Sequence, residues 1–206
     1  MPEARTAYHH GNLRLALLES AERMLAETGA AELSLRELAR QAGVSHGAPR
    51  QHFADKQALL DALAERGFDQ LGAALDAALA TADGPFPAQL LVFARTWVDF
   101  AVRHPALLDL MFASKNRPAA HALRGVADRA FARPSALIAE AQARGDIADT
   151  DPDRVPMAIF ATLQGLAALI TSGMSGDRPT EELITGTINT LLNGLVRPDQ
   201  ERGDLS

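Results

Sequence analysis

No stretch of this chain alternates apolar and polar residues with a period of two, whereas leucine and alanine recur at three- and four-residue spacing almost throughout. That pattern excludes half-buried strands and predicts an all-α protein. Alanine, the best helix former, supplies much of the 47% apolar share, while valine and isoleucine are sparse. With 206 residues, the chain has room for a small helical domain joined to a larger one. It contains no cysteine, which removes disulfides and thiolate metal sites. The N-terminus lacks the apolar core of a signal peptide, so a cytoplasmic location is expected.

Capping residues and breakers divide the chain. A short arm containing Tyr8, His9 and His10 precedes a first helix capped by Asn12, with Leu13, Leu17, Ala21, Met24 and Leu25 at helical spacing and Gly29 as its stop. Ser34, with Glu37 three residues on, reads as a capping box opening a second helix, which Gly43 breaks. Ser45 opens a short third helix ending near Phe53. Asp55 caps a long fourth helix over 56–80. A loop with Asp83, Gly84, Pro85 and Pro87 follows. Beyond it, helices are expected over about 88–104 and at Leu107–Phe112. Further helices are expected over about 119–144 with a break or kink at Pro134, from Asp151-Pro152 to about Ser172, and over about 180–196. The uncharged run from Val155 to Gly173 is nearly long enough to span a bilayer. Its alanine, glycine, glutamine and threonine content instead fits a helix buried on one side by its own core and on the other by a partner subunit.

Two short helices joined by a glycine turn, within Leu33–Gln57, form a helix-turn-helix pattern. Leu35, Leu38, Ala39, Val44 and Phe53 can pack the pair on the first helix. Ser45, His46, Gly47, Arg50 and Gln51 are then left projecting from the start of the second. Small residues at Gly47 and Ala48 allow close approach to a groove, Arg50 and Gln51 can read bases or grip phosphates, and free N–H groups at a helix start suit a phosphate. Lys56 stands in the first turn of the next helix, where the helix dipole disfavours a cation. A DNA phosphate would give it a purpose. The net charge of −6 does not oppose this reading. Up to Lys56, Arg5, Arg14, Arg23, Arg36, Arg40, Arg50 and Lys56 are matched by seven acids, so the deficit lies further on and is screened beyond about 10 Å.

The segment from Tyr8 to Leu63 resembles the DNA-binding domain of the TetR (tetracycline-repressor-like) family of bacterial regulators. The resemblance is carried by the first helix ending at Gly29, Leu35-Arg36-Glu37-Leu38-Ala39, Ala42-Gly43-Val44-Ser45, His52-Phe53 and Asp55-Lys56. It implies a homodimer whose C-terminal domain binds a small molecule and releases an operator. It also implies DNA contacts from Ser45 and His46 and a phosphate contact from Lys56; Arg36 and His52 complete the candidate DNA-binding set. Arg50 stands where the family commonly has a phosphate-touching tyrosine, and arginine can make a bidentate contact there. One branch of the family carries Trp, His and Gly in its penultimate helix. Phe160, Gln164 and Gly165 occupy those places here.

The expected division is a DNA-binding domain over 1–55 and a ligand-binding and dimerisation domain over 56–206. Candidate pocket residues are Phe93, Trp97, Phe100, Met111, Phe112, His121, Phe131, Phe160 and Gln164, with Trp97, Gln164, His121 and Thr162 as polar anchors. Taken singly, each is better read as core. Candidate dimer residues are Leu166, Leu169, Ile170, Leu183, Ile184, Thr187, Ile188, Leu191 and Leu195, with small residues Gly186 and Thr190 allowing close approach. No metal or cofactor is expected, because His9, His10, His46 and His52 have no second ligand cluster at matching spacing. A helical enzyme is disfavoured by the lack of a nucleophile elbow or phosphate-cradling loop. A protein-binding scaffold would leave Arg50, Gln51 and Lys56 without a purpose.

Overall fold

The computed structural model describes residues 10–117, 120–147 and 151–194, apart from the side chains of 10–12; Leu195 and the N-terminal arm with Tyr8 and His9 lie outside them. Among the described residues there are nine α-helices and no strand. They are α1 His10–Glu32, α2 Leu35–Gln41, α3 Lys56–Ala80, α4 Phe86–Arg103 and α5 Pro105–Lys115, followed by α6 His121–Ala130, α7 Ala132–Arg144, α8 Arg154–Thr171 and α9 Thr180–Asn193. The helices pack into two compact units. One is Met1–Ala73 with Arg103–Ala132, and the other is Ala74–Val102 with Arg133–Ser206.

In the first unit, Leu17, Ala21, Met24 and Leu25 of α1, Leu38 and Ala39 of α2, and Leu59, Leu63, Phe68 and Leu71 of α3 form the core. Phe68 is fully buried and meets Phe112 of α5 edge-on, with ring centroids 6.0 Å apart. Two glycines let α3 come close to its neighbours. A Cβ on Gly67 would sit 2.6 Å from the Met111 sulfur, and one on Gly72 would sit 2.9 Å from the Ala130 Cα. The second of these clashes with backbone, so a side chain at Gly72 would have to push α3 away from the α6–α7 corner.

In the second unit, Phe86, Leu90, Phe93, Ala94, Trp97 and Phe100 of α4 are buried, as are Leu137 and Ile138 of α7, Ile159 and Leu163 of α8, and Ile184 and Ile188 of α9. Arg95 of α4 forms an ion pair with Glu181 in the first turn of α9. The Arg95 guanidinium holds the Glu181 carboxyl below its ordinary value.

Several boundaries follow the caps. Ser34 Oγ accepts the Glu37 N–H at 3.1 Å, and Asp55 Oδ1 accepts the Ala58 N–H at 2.8 Å. Gly29 breaks α1 with φ +77°, and one further turn continues to Glu32. The capping box is only half made, because the Glu37 carboxylate turns to Arg40. One break falls elsewhere than its proline suggests. Between α6 and α7 the break is at Phe131. Pro134 sits in the first turn of α7, where its missing N–H costs nothing. Pro105 opens α5, which extends to Lys115, three residues beyond the apolar cluster.

Candidate nucleic-acid interface

The turn after α2 is closed by backbone alone. Gly43 adopts φ +66°, and the Val44 N–H reaches back to the Ala39 carbonyl at 3.0 Å, a Schellman closure that leaves the chain heading into Ser45. The expected third α-helix is instead a turn followed by a 3₁₀ segment, Pro49–Gln51. The reason is Pro49. It has no N–H for the Ser45 carbonyl, which the Ala48 N–H takes at 3.0 Å. The ring of Pro49 is buried, so the same residue that tightens the segment also anchors it to the core. Phe53 is buried as well, and its N–H bonds to the Pro49 carbonyl at 2.9 Å.

That anchoring leaves Ser45, His46, Gly47, Arg50 and Gln51 to line the outer side of the segment, with His52 half-buried at its end. Arg36 on α2 is exposed beside it. Among the described residues, neither Arg36 nor Arg50 pairs with a carboxylate. Arg40, one turn beyond Arg36, is in contrast bound to Glu37 through two N–H groups. The Arg40 guanidinium lowers the Glu37 pKa, so this pair stays ionised and its charges cancel. Of the two arginines on that helix, Arg36 is the one whose charge is available to a phosphate.

Lys56 is half-buried and donates to the Ala31 carbonyl at 2.6 Å. Its ammonium therefore ties the start of α3 to the carbonyl-rich end of α1. This explains why a cation stands in a first turn that would otherwise disfavour it. An ammonium has three donors, and this contact uses one. A second tie lies further along α3. Arg117 forms a bidentate pair with Asp61, at 2.7 and 3.2 Å, and Gln57 donates to the same carboxylate at 2.9 Å. Arg124 of α6 donates to the Arg117 carbonyl at 3.1 Å and lies 2.6 Å from His121 Nδ1. The Arg117–Asp61 pair was not legible from spacing, because its ends are 56 residues apart.

The candidate pocket residues divide between the two units. Phe93, Trp97, Phe100, Phe160 and Gln164 belong to the second unit, whereas Met111, Phe112, His121 and Phe131 belong to the first. Trp97 is fully buried and meets the Phe160 ring edge-on, centroids 5.5 Å apart. Gln164 stands one turn beyond Phe160 on α8. Its Oε1 is buried, with no hydrogen-bond donor in reach among the described residues. Met111 and Phe112 pack on α3, and His121 is exposed beside Arg124. Thr162 spends its hydroxyl on the Ala158 carbonyl of its own helix, at 2.7 Å. A separate cavity of about 420 Å³ in the second unit is lined by Phe86, Leu90, Ile147, Ile159 and Leu191, with Arg154 and Asp146 at its edge. The sequence offered no signal for it.

The candidate dimer residues also divide. Leu166, Ile184 and Ile188 are buried within their own chain, so they build the core beneath the surface rather than the surface itself. Leu169 is 45% exposed, and Ile170, Leu183, Thr187 and Leu191 are half-buried. Only 22% of Arg154–Thr171 is buried within the chain, although this is the one described helix long and apolar enough to cross a membrane. Met157 and Met174 are also exposed, at 65% and 71%. An open concavity of about 530 Å³ along α9, lined by Leu183, Gly186, Thr187, Thr190 and Leu191, adjoins Thr162 of α8.

Comparison with known proteins agrees with this geometry. Residues 17–63 match the family model of bacterial regulatory proteins of the tetR family, and residues 90–191 match a tetracyclin repressor-like C-terminal domain. Among solved structures, a protein of unknown function from Rhodococcus sp. RHA1 is 42% identical, covers 94% of this chain and 100% of its own, and superposes with a TM-score of 0.84. The TetR-family transcriptional regulator PfmR from Thermus thermophilus is 22% identical, covers 88% and 99%, and has a TM-score of 0.70. The fatty acid degradation regulator FadR from Bacillus halodurans is 17% identical, covers 88% and 95%, and has a TM-score of 0.67. No curated protein matches the chain. The last two likenesses show the fold alone, but the two family models together span the helix-turn-helix and most of the second half. The chain belongs to the tetR family of bacterial transcriptional regulators, with its helix-turn-helix DNA-binding domain near the N-terminus.

Proposed function

We propose that this protein is a cytoplasmic, ligand-responsive repressor that binds a near-palindromic operator as a homodimer and is released by a small apolar or weakly polar molecule. The observation that carries the DNA half is the outward-facing set Ser45, His46, Gly47, Arg50 and Gln51, held on the buried Pro49 and Phe53 and flanked by Arg36. Gln51 is the base-reading candidate. Arg36, Arg50 and the remaining donors of Lys56 are the phosphate-gripping candidates. Residues 1–55 serve recognition in this reading, and residues 56–206 serve dimerisation and effector binding.

The dimer is supported by the apolar, largely uncovered face of α8 beside α9. A two-fold interface of more than about 1,200 Å² in total would cover it. The effector site is placed beside Trp97, Phe160 and Gln164, because a buried acceptor without a donor costs about 1–3 kcal/mol and a ligand hydroxyl or N–H would recover it.

Trp97 is the only tryptophan, so it reports on its own surroundings. An effector is expected to change Trp97 fluorescence and release operator DNA over one concentration range. A coupling of about 1–3 kcal/mol would lower operator affinity about 5- to 150-fold. Operator DNA must weaken the effector by the same factor. A molecule that perturbs Trp97 and leaves operator affinity unchanged would show that this region is not the switch.

A further inference from the structure

We propose that Arg14, on the first helix and outside the helix-turn-helix, is a further DNA contact whose guanidinium meets a backbone phosphate. The inference rests on the DNA-binding reading of Ser45–Gln51 and extends the surface onto α1.

The Arg14 guanidinium carbon lies 5.6 Å from the centroid of the Phe53 ring, close enough for a cation–π contact. Phe53 closes the recognition segment through its bond to Pro49, so Arg14 borders the residues that segment presents. A cation–π contact is electrostatic and takes up none of the guanidinium's five N–H donors. They remain available for a bidentate contact with a phosphate. The ring also restricts the side chain before DNA arrives, which lowers the entropy lost on binding.

The charges on the same helix point the same way. The first two acids after Arg14 on α1 are engaged towards α3: Glu22 with Arg66 and Gln70 at 3.3 and 3.4 Å, and Glu19 with Arg66 at 3.7 Å. Glu65 and Asp69 line the same groove as Arg14, yet neither is within ion-pair distance of it. Arg14 is thus an exposed cation with no carboxylate partner among the described residues, in contrast to Arg40, Arg66 and Arg117 of the same unit. A phosphate rather than a base edge is the fitting partner, since helices outside the reading segment cross the DNA backbone.

The test measures the affinity of the full-length protein for a random-sequence duplex as a function of salt between about 50 and 200 mM. Arg14→Gln, an exposed change that spares the core, is expected to lower the slope of log affinity against log salt by about 0.9 for each DNA-binding head. Arg14→Lys, which keeps the charge, is expected to retain the wild-type slope. An Arg14→Gln protein that melts like wild type and keeps its slope overturns the proposal, as does an Arg14→Lys protein whose slope falls as far as that of Arg14→Gln. Wild-type protein with no salt-dependent DNA binding would instead overturn the DNA-binding reading itself.

Discussion

Leu169→Glu is expected to separate the dimer into monomers and to weaken operator binding by about 10²- to 10⁴-fold, the contribution of linking two heads. Leu169 is 45% exposed in the single chain, on a helix of which only 22% is buried. The substitution therefore leaves the protomer core untouched. In a two-fold interface the same patch faces itself, so each new carboxylate enters an apolar surface with no cation to meet it. Light scattering at micromolar concentration should return the monomer mass, with helical content unchanged. A variant that remains dimeric places the interface elsewhere than the α8 face.

Phe68→Ala is expected to cost about 3–5 kcal/mol of stability, a large share of the roughly 5–15 kcal/mol that holds a domain together. The ring is fully buried in the first unit and meets Phe112 edge-on at 6.0 Å. At its neighbour Gly67 a Cβ would already meet the Met111 side chain at 2.6 Å, so α3 and α5 are closely packed around the ring. Denaturant unfolding measures the loss. A value under about 1 kcal/mol would mean that α3 and α5 do not share a rigid core.

The helices were legible where a local rule decides them. Ser34, Gly43 and Asp55 act through groups three to five residues away, and each does in the structure what its chemistry demands. Pro134 shows how a rule can hold and still be misapplied, and Pro49 how it can be passed over. Both prolines forbid an interior helical hydrogen bond, yet Pro134 sits in a first turn where none is needed, while Pro49 turns an expected α-helix into a 3₁₀ segment. The candidate DNA-facing residues were readable because their outward position follows from the burial of Phe53 within the same short segment. The tie between Lys56 and Ala31 was not, since 25 residues separate its ends. Pocket residues were the least legible. A buried aromatic has the same sequence signature whether it fills a core or lines a cavity, and the nine chosen fall into two different units. Periodicity marked the α8 and α9 leucines and isoleucines as apolar, but it did not separate the buried Ile184 and Ile188 from the exposed Leu169.

The central claim is that the segment from Ser45 to Gln51 reads DNA sequence. The most direct measurement selects the preferred duplex from a random pool, then compares wild type and Gln51→Ala on that duplex and on random DNA at physiological salt. Wild type is expected to select a near-palindrome with half-sites about 34 Å apart and to bind it at least about 10³-fold more tightly than random DNA. Gln51→Ala is expected to lose about 1–3 kcal/mol on the selected duplex and nothing on random DNA. Selection of no sequence, or an equal loss on both duplexes, would contradict the account.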